Sequence, residues 1–166
     1  GGRLLIGVRD DGNLSGVRSE EEIYMMHQAA YHYCRPEASI KFDPFHVEGR
    51  TIVIATVPPS SHRPICVVCD DGRQRAYIRI GDENIVASPV HLAIWRESQN
   101  LQGTMMTYTD SVRKILDVLQ DQHLHLNQIV RRSRIPRHKV IVLLACLIRF
   151  RVVQWEYTNQ QFLFSL

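Results

Sequence analysis

No apolar run in the 166-residue sequence exceeds nine residues, while a bilayer-spanning helix needs about 20, so no stretch of it reads as a membrane span. Cysteine is scarce, with four residues at Cys34, Cys66, Cys69 and Cys146. Cys66 and Cys69 form a single CxxC in PICVVCDDG, and no second pair completes a zinc site. In a strand their odd spacing sends the two thiols to opposite faces. Scattered thiols fit a reducing cytoplasm, which is the expected location. No G-x-x-x-x-G-K-[ST] is present, and Gly1-Gly2 precedes a strand where a phosphate loop would link a strand to a helix. No nucleophile and base stand in a usable arrangement: Ser60, Ser61 and His62 are adjacent in a Pro-rich loop, where neighbours cannot build a relay. His123 and His125 lack further ligands at a recognisable spacing, and His125 is placed to cap a helix. No cofactor or metal is therefore expected, and no enzymatic activity. No charged segment followed by an apolar run and a small-residue cleavage site is visible. The abrupt start, Gly1-Gly2 followed at once by apolar residues, is what the middle of a fold would show, so an upstream segment is expected.

What is present is a core-forming composition, 45% apolar, and an uneven charge. Residues 1–107 hold 11 Lys and Arg against 13 Asp and Glu, while residues 108–166 hold nine against four. The net +3 thus belongs to the C-terminal third, and an electrostatic partner is to be sought there.

RLLIGVRDDGNLSGV reads as a strand, a turn with Asp10, Asp11 and Gly12, and a short return. Ser19 with Glu22 makes a capping box for a helix that Pro36 stops. IKFDPFHV and RTIVIATV flank Glu48-Gly49 as a hairpin, and PICVVC and RAYIRI flank DDGR as another. Ser88 caps a helix that begins at Pro89 and ends near Glu97. After a polar stretch over 99–109, read as a linker, Val112, Ile115, Leu116 and Leu119 recur at helical spacing. A short helix follows from about Leu126, a break at SRIP, then a helix from Pro136 to about Phe150 and two strands around Thr158-Asn159. Three helices and a terminal hairpin in this order describe a winged helix-turn-helix.

The segment RRSRIPRHK, with five Lys and Arg and one His, runs directly into the nine apolar residues VIVLLACLI. In a winged helix the third helix lies in the major groove, which would bring Arg137, His138 and Lys139 to base edges. Arg131, Arg132, Arg134, Arg149 and Arg151 would engage phosphate. At 100° per residue, Val140, Leu144 and Leu147 share the core face. Ile141, Val142 and Ala145 then fall on or beside the opposite face and form a possible protein interface. Three arrangements fit: readout by the first turn alone, a dimer interface rimmed by arginine, or cover by the wing and the first domain.

GGRLLIGVRDDGNLSGV, followed by AYIRIGDENIVAS, resembles the Schlafen-type AlbA-like domain, which is often labelled DNA-binding. The resemblance rests on Gly1-Gly2, Ile6-Gly7-Val8, the Asp10-x-Gly12 turn, and Tyr77-Ile78-Arg79-x-Gly81 with Asn84 and Ala87-Ser88. It runs to about Arg96. In bacteria such a domain often precedes a winged helix in transcriptional regulators. RNA-cleaving members of the family use three carboxylates, two of them before the Gly-Gly pair. The third would stand at position 9, where this chain has Arg9, a side chain that repels the divalent cation such cleavage needs. Winged helices usually carry a small residue, often Gly, where Arg134 and Arg151 stand, so the backbone is expected to be strained at both. Arg79 has two readings, phosphate contact or pairing with an acidic neighbour, and the balanced charge around it favours pairing.

The fold expected is an α/β (α+β) domain with a mixed sheet over 1–98, a linker over 99–109 and a winged helix over 110–166. The function expected is that of a DNA-binding transcriptional regulator, with RNA as a related partner, acting as a homodimer or larger oligomer. The alternative is an oligomeric scaffold whose winged helix binds protein. More remote is a nuclease with upstream carboxylates.

Overall fold

The computed structural model describes residues 1–17, 20–97 and 106–166. The Ser19 cap and most of the 99–109 linker lie outside these residues. Contacts divide the chain into two compact units, Gly1–Ala76 and Tyr77–Leu166.

In the first unit, β1 (Gly2–Ile6) is followed by a tight turn in which Gly12 N–H donates to the Arg9 carbonyl. Asp11 accepts from Asn13 through both backbone and side chain, which identifies it as a turn residue. At Gly7, φ is +89° and a β-carbon would lie 2.9 Å from the Gly16 backbone, so only glycine fits. Helix α1 (Glu21–Gln28) continues into a π-helical turn, Ala29–Tyr33, and the chain then extends as β2 (Cys34–Arg35). β3 (Lys41–Val47) and β4 (Arg50–Val57) form the expected hairpin. Its turn has Glu48 and Gly49 both at positive φ, the geometry that matches the twist of the flanking strands. β4 is the middle of a β1-β4-β3 sheet and buries Val53 and Ala55. β5 (Cys66–Val68) and β6 (Gln74–Arg75) pair with β2 as a second sheet. Cys69 lies one residue past β5, its N–H bonded to the Arg73 carbonyl, so the CxxC is not contained in one strand.

The second unit opens with the hairpin β7 (Tyr77–Ile80) and β8 (Glu83–Val86). Helix α2 (Pro89–Glu97) follows, its His91 N–H bonded to the Ser88 hydroxyl as expected of a cap. α3 (Asp110–Leu119) starts on Thr109, whose side chain accepts from Val112 N–H. β9 (Leu124–His125), α4 (Leu126–Ser133), α5 (Arg137–Arg149), β10 (Gln154–Thr158) and β11 (Gln161–Ser165) complete the unit. β11 pairs with both β10 and β9. Val112, Ile115, Leu119, Ile129, Val140, Leu144, Leu147 and Phe164 form its core, all nearly inaccessible. Val90 of α2 belongs to the same core, because α2 packs on α5.

The fold is mixed α/β with several small sheets and five α-helices among the described residues. Every strand pair among them is antiparallel, which corrects the expected mixed sheet. In the β3–β4 and β10–β11 hairpins the reason is connection length: turns of two residues at Glu48-Gly49 and Asn159-Gln160 permit only antiparallel pairing. No helix among the described residues is long and apolar enough to cross a membrane.

Candidate nucleic-acid interface

α4 is held at its start by a reciprocal cap. The His125 ring accepts from Gln128 N–H, and the Gln128 side chain accepts from His125 N–H. Leu126, Ile129 and Ser133 face inward at helical spacing, which leaves Arg131 and Arg132 in solvent. Arg132 donates to the Gln122 side chain at 3.4 Å. The helix stops where Arg134 enters the left-handed region at φ +57° and its N–H returns to the Val130 carbonyl. The buried Ser133 hydroxyl accepts from Ile135 N–H, and Ile135 plugs into the core. Pro136 then opens α5, its carbonyl accepting from Lys139 and Val140 N–H.

Arg137, His138 and Lys139 form the exposed first turn of α5. Arg137 donates to the Asn127 side-chain oxygen, tying the start of α5 to the start of α4. At the far end, Arg149 is half-buried and donates to the Glu97 carbonyl at 3.1 Å. Arg151 sits in the turn before β10 at φ +59°, with its N–H on the Ile148 carbonyl. The strain expected at Arg134 and Arg151 is therefore present in the backbone of both.

Five cations elsewhere in the chain have aspartate partners. Arg73 and Arg75 pair with Asp71, Arg79 with Asp82, and Arg113 and Lys114 with Asp110. By contrast, Arg131, Arg132, Arg134, Arg137, Lys139 and Arg151 are exposed, and none of the ion pairs among the described residues includes them. Arg79 also reaches the Asn84 side chain at 3.4 Å, so the pairing reading of that residue is the one observed.

The apolar residues of α5 require a correction. Val142 is 51% exposed and Ile141 is half-buried, but Ala145 is fully buried. The physical reason is α2, whose Val90, Ala93 and Ile94 share the core with α5. Ala145 therefore lines an internal helix–helix contact, and no contiguous apolar face of three residues reaches solvent. Of the three arrangements left open by the sequence, cover of the helix body comes nearest, with α2 as the covering element.

His123 and His125 separate in function, the first bonded to the Glu156 carboxylate at 2.9 Å and the second capping α4. Ser60 hydroxyl bonds the backbone of His62 and not its ring, so no relay forms. Among the described residues no three His, Cys, Asp or Glu side chains come together as a metal site. Sequence reasoning missed His91, which is 3% exposed, wedged against Trp155 and Phe162, and bonded through Nδ1 to the Ser88 hydroxyl at 2.7 Å. Burial holds its pKa down at about 4. The available signal was the Ser88-x-x-His91 spacing, which places a ring nitrogen beside the cap.

A model of the family described as Schlafen, AlbA_2 matches residues 1–88, more than half of the sequence, and the chain belongs to that family. No curated protein and no solved structure matches it. The matched stretch ends before the basic surface, all of which lies in 131–151.

Proposed function

We propose that the chain binds nucleic acid through the basic surface of its second unit and acts as a DNA-binding transcriptional regulator in the cytoplasm. In this reading α3, α4, α5 and the β10–β11 hairpin over 110–166 work as a winged helix-turn-helix, joined by the 99–109 linker to the Schlafen AlbA-like domain over 1–98. The observation that carries it is the clustering of six exposed cations without carboxylate ion-pair partners within residues 131–151. Exposed cations whose charge no carboxylate cancels are available to an anion, and arginine matches phosphate and guanine edges in a bidentate manner.

Arg131, Arg132, Arg134 and Arg151 engage phosphate, while Arg137, His138 and Lys139 approach base edges. Arg149 is a weaker phosphate ligand, because its guanidinium is already committed to a backbone carbonyl. With α5 partly covered by α2, readout falls to its first turn. Binding without cleavage follows from Arg9, an exposed cation where related nucleases need a carboxylate. The active form is a homodimer, as two-fold binding sites on DNA call for.

Electrophoretic mobility shifts with duplex DNA, single-stranded DNA and duplex RNA test this reading. The regulator reading expects duplex DNA to shift at the lowest protein concentration, and charge reversal by Arg131→Glu/Arg132→Glu to abolish the shift in a chain that still melts cooperatively. A shift unchanged by that reversal would sink the assignment of this surface. Light scattering that finds only monomer at binding concentrations would remove the dimer.

A further inference from the structure

A cavity of about 470 Å³ opens beside this surface, within the second unit. Its lining includes Ser88 before α2, His125 and Asn127 at the start of α4, Arg137 at the start of α5, and Gln161 and Phe162 of β11. No lining residue is acidic. The five polar side chains supply a guanidinium, two amides, a hydroxyl and an imidazole. His125 uses Nδ1 as acceptor for Gln128 N–H, so in the neutral ring the proton sits on Nε2, which is a donor. Arg137 is held by the neutral Asn127 oxygen, which fixes its direction and leaves its charge uncancelled. Buried Leu126 and Phe164 make an apolar floor, and the half-buried Phe162 ring makes a wall.

A cavity with convergent donors, one fixed cation, no carboxylate and an apolar floor has the features of an anion site for an organic molecule. We propose that it seats a phosphate monoester carrying a flat, apolar body. The phosphate lies against the guanidinium N–H groups of Arg137 that Asn127 leaves free, and the flat body lies over the floor against Phe162. The same chemistry could arrive on a small molecule or as the terminal phosphate of a nucleic-acid strand. The inference uses Arg137, which the nucleic-acid reading also uses, but it rests on the cavity and stands without that reading.

Calorimetric titration of the full chain with phenyl phosphate tests it, with phenol and inorganic phosphate as controls. We expect phenyl phosphate to bind at least tenfold more tightly than either control. We expect Arg137→Ala and Gln161→Glu each to weaken it at least tenfold, the second by setting a carboxylate against the anion. A 5′-phosphorylated and an unphosphorylated hexathymidylate distinguish the sources. A preference for the phosphorylated strand that both variants erase, in the absence of phenyl phosphate binding, assigns the seat to a strand end. No binding of either phosphate ester by the folded chain overturns the proposal, as does binding that both variants leave unchanged. Failure of duplex DNA to bind, with phenyl phosphate still bound, would count against the nucleic-acid reading alone.

Discussion

Arg134 and Arg151 hold a conformation that costs energy, and replacing them with glycine should separate stability from binding. Their φ values, +57° and +59°, lie in the left-handed region, where an L-residue pays about 1–2 kcal/mol. Glycine avoids that cost but gives back about 0.5–1 kcal/mol through the freedom of its unfolded chain. The net gain is about 0.5–1 kcal/mol per site, so about 1–2 kcal/mol for Arg134→Gly/Arg151→Gly if the sites act independently. For a unit the size of Tyr77–Leu166, each kcal/mol raises Tm by about 4–8 °C. Alanine removes the same charge while keeping the strain, so Arg134→Ala/Arg151→Ala should gain nothing. Both double variants lose two phosphate contacts, which lowers the slope of log affinity against log salt by about 2. The glycine form should therefore melt higher and bind DNA more weakly, and the alanine form should bind as weakly without the gain. Equal melting of the two variants would refute the strain argument. A more stable glycine variant with wild-type affinity would refute the claim that these arginines serve an anionic partner.

His91 predicts a pH dependence of stability. Its folded pKa of about 4 lies below the unfolded value near 6.5, so the unfolded chain takes up a proton that the folded chain refuses. Stability is complete above about pH 6.5 and falls as pH drops toward 4, by about 3 kcal/mol in all. Urea unfolding at pH 7 and pH 4.5 should show this loss in the wild type and a smaller one in His91→Leu, and equal losses would contradict it. His125→Ala removes the α4 cap and should cost about 1 kcal/mol in the same assay at pH 7; no loss would mean that the cap is idle. Leu144→Ala opens the α5 core and should cost about 2–5 kcal/mol, with less than 1 kcal/mol contradicting its full burial.

Local chemistry made much of the fold legible. Ser88 and His125 cap the helices they precede, Val112, Ile115 and Leu119 turn to the core as their spacing requires, and Glu48-Gly49 closes its hairpin. Arg134 and Arg151 announced their strained backbone because a turn that favours glycine held a large residue. The failures were long-range. Helical spacing shows which residues share a face, but not how many faces are covered. Ala145 is hidden by a helix more than 45 residues earlier, and nothing near it in sequence records that. The partners of His123 and His91 are likewise distant, Glu156 for one and Trp155 and Phe162 for the other. The basic segment was plain in composition, but only the structure shows that its exposed cations lack the aspartate partners that Arg73, Arg79 and Arg113 have.

The central claim is that RRSRIPRHK faces nucleic acid, and the salt dependence of binding tests it most directly. Fluorescence anisotropy of a mixed-sequence duplex across a salt series, with wild type and Arg137→Ala/Lys139→Ala, is the measurement. The account predicts wild-type binding that weakens steeply with salt, and a variant that is weaker with a slope reduced by about 1–2. Absence of binding at low salt by the folded chain, or a variant indistinguishable from wild type, would contradict it.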